Sequence, residues 1–111
     1  MTADLLLVLT HCPDESTAER LAMALIENRL AACVNRSAPV ASTYRWQGRV
    51  ESATEVPLVI KCTRERYAAV EEAIRQLHPY TVPEIVAVPV VTGFGPYLRW
   101  VADETTPPLI A

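Results

Sequence analysis

The run Leu5-Leu6-Leu7-Val8-Leu9, closed by polar Thr10-His11 and then by Pro13, constrains this chain more than any other feature. It is too short for a buried helix and shows no apolar–polar alternation. It therefore predicts a strand buried on both faces, near the centre of a sheet. It is also far too short to span a membrane. The sheet has to be built from 111 residues, half of them apolar and 21% charged, which excludes disorder. That length leaves room for one domain, taken as residues 1–111.

The rest of the chain supplies partners for that strand. Ser16, with Glu19 three residues on, has capping-box spacing and predicts a helix. Ala18, Leu21, Ala22, Leu25 and Ile26 then give that helix one apolar face. Residues 31–61 read as a long hairpin turning at Gln47-Gly48, where glycine accepts positive φ. Val40, Ser42, Tyr44 and Trp46 share one face of the incoming strand. Val56, Leu58, Ile60 and Cys62 share one face of the return strand, which makes Cys62 a core residue. Pro39 and Pro57 each remove a ladder donor and mark a bulge, an edge or an overhanging portion. A second helix, capped by Thr63 and striped by Tyr67, Val70, Ile74 and Leu77, stops at Pro79. Ile85–Val91 reads as an edge strand because it contains Pro89. Pro96 opens a short third helix through Trp100 to about Glu104, and Leu109-Ile110 form an apolar tail.

The element order is β-α-β-β-α-β with an appended C-terminal helix. It predicts an α+β fold, a ferredoxin-like βαββαβ sandwich with an extended hairpin, with the first and third strands central. A net charge of −3 offers no footprint for nucleic acid or an anionic membrane. Three cysteines without a close pair argue against a disulfide scaffold and for a reducing, cytoplasmic setting. Asp4 and the lack of a basic segment before Leu5 argue against a signal peptide.

Five motifs stand in order along the chain. They are Thr10-His11-Cys12-Pro13-Asp14-Glu15, Leu30-Ala31-Ala32-Cys33-Val34-Asn35, Tyr44-Arg45-Trp46-Gln47-Gly48, Lys61, and His78-Pro79-Tyr80 followed by Pro83-Glu84. Together they resemble the CutA family of divalent-cation-tolerance proteins, over residues from about 5 to 104. The resemblance implies a ferredoxin-like subunit in a homotrimer whose hairpins and edge strands pair around a threefold axis. It also implies a link to copper or another divalent cation. The residues support assembly on their own account. An exposed edge strand is an aggregation liability, and a two-stranded arm carrying Val40, Tyr44 and Trp46 holds more apolar surface than it can hide. Tyr44 and Trp46 are thus expected at the trimer interface, the alternative being that Trp46 covers only its own sheet.

His78 is the first candidate ligand, since imidazole suits copper and zinc; the alternative is a histidine at a helix C-terminus interacting with the dipole. The family's copper pattern carries a cysteine where this chain has Thr10 and a second histidine where it has Leu77, so only His78 keeps a good donor. His11 and Cys12 are the substitutes, although adjacent residues often point apart. Cys33 reads as a small hydrophobe or as a ligand. Lys61, Tyr80 and Glu84 read as solvated or paired charges and polar groups, or, with Cys33, as the walls of a small pocket between subunits. No nucleophile–base pair is visible, so the expectation is a non-enzymatic metal-response protein binding copper or another divalent cation weakly, with an unidentified downstream protein partner. The alternative is a trimeric small-molecule sensor resembling the PII signalling proteins in fold.

Overall fold

The structure, a computed structural model, describes residues 4–107. The expected apolar tail at Leu109-Ile110 lies outside the described residues. Strands β1 (Leu5–Cys12), β2 (Cys33–Arg36), β3 (Val40–Trp46), β4 (Arg49–Thr63) and β5 (Val86–Pro89) form an antiparallel sheet. Helices α1 (Glu15–Glu27), α2 (Tyr67–Leu77) and α3 (Gly95–Glu104) complete a mixed α+β fold. The sheet order is β2-β4-β1-β5, with β3 extending the ladder on β4. β1 pairs with β4 from Leu5 opposite Thr63 to Cys12 opposite Val56, and with β5 from Leu6 opposite Pro89 to Leu9 opposite Val86. β5 pairs with β1 alone among the described residues, so the proline-bearing strand is an edge, shorter than the expected Ile85–Val91.

The alternation along β1 and β4 sends Leu6, Val8, Cys12, Leu58, Ile60 and Cys62 to one face, where α1 and α2 cover them. Leu21, Leu25, Val70 and Ile74 fill the helix side of this core. Each fully buried leucine or isoleucine there contributes about 1.5–3 kcal/mol. Leu5 turns to the other face and packs beneath Leu98 and Val101 of α3. Leu7 and Leu9 on that same face stay half-buried, so beyond Leu5 only the α1–α2 face of β1 is fully sealed.

Several boundaries depart from expectation, each for a local reason. The first strand continues past Leu9 to Cys12, because β4 is long enough to pair with it to Val56. The cap of α1 is Asp14, whose Oδ1 accepts from the Thr17 N–H at 2.7 Å, and not Ser16; a carboxylate two residues earlier satisfies the orphan donor first. Thr63 does cap, but it caps the 3-10 turn Arg64–Arg66 that leads into α2. The hairpin's incoming strand breaks into β2 and β3. Arg36 lies opposite Leu58 and Val40 opposite Glu55, so four steps on one strand match three on the other, a one-residue bulge at the two prolines. Pro57 sits opposite His11, inside the β1 ladder rather than on the overhang. Beyond the bulge β3 and the start of β4 project as an arm with both faces largely exposed, turning at Gln47 and Gly48, both at positive φ.

Candidate functional site

The site lies at the foot of the arm, where the end of β1, the start of the arm and the segment after α2 meet. Pro79 has no N–H and forces the residue before it into extended backbone, so α2 ends at Leu77 and His78 turns out at ψ 132°. Its ring is 5% exposed. Nε2 lies 2.6 Å from the carbonyl oxygen of His11, and Nδ1 accepts from the Tyr80 N–H at 3.2 Å. A carbonyl only accepts and an amide N–H only donates, so Nε2 carries the proton and Nδ1 supplies the lone pair. Both ring nitrogens are committed to backbone.

Strand alternation then separates His11 from Cys12. Cys12 is fully buried in the core beneath the helices, and burial together with the Asp14 and Glu55 charges pushes its thiol up to about 11. His11 faces the opposite side, with Nδ1 buried 3.2 Å from Glu84 Oε1 and without a well-formed hydrogen bond among the described residues. Tyr80 reaches across to donate its hydroxyl to Glu55 Oε2 at 3.0 Å. Burial first, then that bond and the Glu55 charge, push the Tyr80 phenol up to about 12.

Around these groups opens a cleft of about 810 Å³. Tyr44, Trp46 and Tyr80 give it aromatic walls, while Glu51, Glu55 and Glu84 line it with carboxylates and no lysine or arginine. Such a lining favours cations. A smaller depression of about 520 Å³ between Arg64–Arg66 and the end of α3 holds none of the candidate residues.

The structure brings His11, Tyr44, Trp46, Tyr80 and Glu84 together around the cleft, seats His78 behind Tyr80, and leaves Cys12, Cys33 and Lys61 apart. Lys61 pairs with Cys33 across β2 and β4, and its Nζ bonds the Asn35 side chain, with Cys33 Sγ 3.9 Å from the same oxygen. They lie four ladder positions from His11, about 13 Å along the strand. A single pocket of Cys33, Lys61, Tyr80 and Glu84 is therefore not formed within one chain. Glu55 and Glu51 were missed from the sequence. The signal was present, since both fall on the arm face that Tyr44 and Trp46 share.

Few of these groups keep a free lone pair for a divalent cation. His78 has none to spare, Cys12 is a buried thiol, and Thr10 is a fully buried hydroxyl without a hydrogen-bond partner among the described residues. Among the described residues no three His, Cys, Asp or Glu side chains converge as a metal cage. His11 Nδ1, buried 3.2 Å from the Glu84 carboxylate, leaves two potential donors side by side at the edge of the cleft.

Fold and site together define a small α+β protein with a projecting β-arm and an acidic, aromatic cleft at its foot. The family model described as CutA1 divalent ion tolerance protein matches residues 6–104, and the chain belongs to that family. It is similar to the divalent-cation tolerance protein CutA of Thermus thermophilus, 46% identical over 98 residues that cover 88% of this chain and 95% of that one. The solved Thermus thermophilus Cut A1 structure superposes with a TM-score of 0.90 at 44% identity, covering 92% of this chain and 99% of that chain. A structure described as the periplasmic divalent cation tolerance protein CutA of Archaeoglobus fulgidus gives 0.89 at 34% identity, covering 92% of this chain and 99% of that one. The chain spans about half the length of the mouse and human relatives it matches.

Proposed function

We propose that this chain is a non-enzymatic divalent-cation tolerance protein that meets copper or a related cation weakly at the cleft below the arm. The family match over residues 6–104 carries this reading. His11 Nδ1 and Glu84 are the donors it assigns, and Glu55 and Glu51 supply the surrounding negative field. Two donors, with no third converging on them among the described residues, make the binding weak.

The working unit of this reading is a homotrimer of single ferredoxin-like domains. Supporting it, the arm and the sheet edge expose Val40, Tyr44, Trp46, Val50, Val86 and Val88, apolar surface that a cyclic assembly would cover. We place the protein in the cytoplasm because Cys12, Cys33 and Cys62 are all free thiols. Among the described residues no helix is long and apolar enough to cross a membrane.

Calorimetric titration of the intact chain with Cu(II) tests the proposal. The expected result is weak, saturable binding that His11→Ala abolishes. Binding that His11→Ala leaves unchanged, or none in the parent chain, overturns the cation site.

A further inference from the structure

We infer that His78 is a positioning residue, a clasp that holds the wall of the cleft in place, and that a cation reaching the cleft meets His11 and Glu84 without touching His78. This rests on reading the cleft as the cation site.

Three observations carry it. First, the imidazole joins two stretches of backbone that no ladder connects, the His11 carbonyl at the end of β1 and the Tyr80 N–H in the irregular segment after α2. Second, the ring is almost fully buried and lies against the Tyr80 ring, centroids 4.6 Å apart. Third, the segment from Pro79 to Glu84 has no regular structure, yet it carries both Tyr80 and Glu84 into the cleft. Its ties to the rest of the chain include the His78 bond, the Tyr80–Glu55 bond and the Glu84–His11 contact.

Ligation by His78 would undo this arrangement. A cation on Nδ1 displaces the Tyr80 N–H from a ring with no open side. A cation on Nε2 removes the proton that satisfies the His11 carbonyl. The neighbouring positions do not compensate, because Leu77 has no donor and Thr10 offers only a neutral hydroxyl inside the core. The clasp instead orients both remaining donors: it fixes the backbone of His11 directly and that of Glu84 through the segment it anchors. A partner group that orients metal ligands typically changes affinity about 10–100-fold when removed.

Zinc titration of the ¹⁵N-labelled full chain, read at the histidine ring nitrogens, tests this. Before zinc, His78 is expected as the neutral ring with its proton on Nε2, and at saturation its signals stay put while His11 Nδ1 shifts. A zinc-induced shift at either His78 nitrogen, or a zinc-free His78 with its proton on Nδ1, overturns the inference. Should neither histidine respond to zinc, the cation reading falls while the Nε2–H ring with a protected Tyr80 amide upholds the clasp. His78→Ala supplies the second readout. With its circular dichroism unchanged, it is expected to lower zinc affinity about tenfold and to move the Tyr80 phenol back toward its ordinary value of about 10. Unchanged affinity and an unmoved phenol in that variant also overturn it.

Discussion

The Tyr80 hydroxyl donates to Glu55 Oε2 at 3.0 Å and so ties the segment after α2 to the base of the arm, two parts of the chain that no backbone ladder joins. The bond sets the electrostatics of the cleft as well as its shape, because the phenol is held neutral beside a carboxylate.

That pairing has a pH signature. The folded-state value for Tyr80 is about 12, above the ordinary value of 10. The folded chain therefore holds its proton where the unfolded chain releases it. The contribution to stability is fully present below about pH 10 and is lost as pH rises toward about 12. Burial also raises Tyr67 and Tyr97, so ultraviolet titration should show several late tyrosines, of which the latest-ionising disappears in Tyr80→Phe. By urea unfolding near neutral pH, the same variant should lose about 0.5–1.5 kcal/mol.

Thr10 is fully buried among apolar neighbours, and its hydroxyl has no partner among the described residues. Valine has nearly the same shape without the desolvated oxygen. Thr10→Val should stabilise the chain by about 1 kcal/mol and raise its melting temperature by a few degrees. A destabilised variant would mean that the hydroxyl has found a partner in solution.

The thiols should divide by depth. Burial pushes Cys62 up to about 11, and burial with nearby carboxylates does the same to Cys12, while Cys33 on β2 is only partly buried. A thiol-specific reagent at about pH 8 should reach Cys33 alone in the native chain and all three in denaturant, since a thiol needs its thiolate to react. Rapid native modification of Cys12 or Cys62 would refute the assigned core. Cys62→Ser should cost about 1–3 kcal/mol by placing a hydroxyl there.

Trp46 is 42% exposed in a single chain, a large aromatic side chain left open on the arm. If neighbouring copies cover it, light scattering should report about three times 12.3 kDa. Trp46→Ala should then weaken assembly by about 3 kcal/mol or more. A variant with unchanged mass and melting temperature would assign the side chain to the surface.

Local signals were legible in the sequence wherever one residue type dictates its own backbone. Pro79 ends α2, Gln47-Gly48 turns the arm, and the alternation of Val56, Leu58, Ile60 and Cys62 marks the buried face of β4. The unbroken apolar run from Leu5 placed β1 at the centre of the sheet, and Pro89 placed β5 at its edge. The motifs that point to the family were legible too, since they are strings of residues in order.

What the site does with those residues was decided elsewhere. Asp14 and Ser16 are both good caps, and the geometry of the chain entering α1 chose between them. His11 and Cys12 look like a pair in sequence, but β4 extends the ladder to Cys12, and alternation then sends one side chain to the cleft and the other to the core. His78 reads in sequence as a ligand or a helix-end histidine, and only the fold shows its Nε2 meeting a carbonyl 67 residues away. Composition and spacing determine which groups a chain can offer. Whether a lone pair is free depends on what packs against it, and that is settled only when distant segments meet.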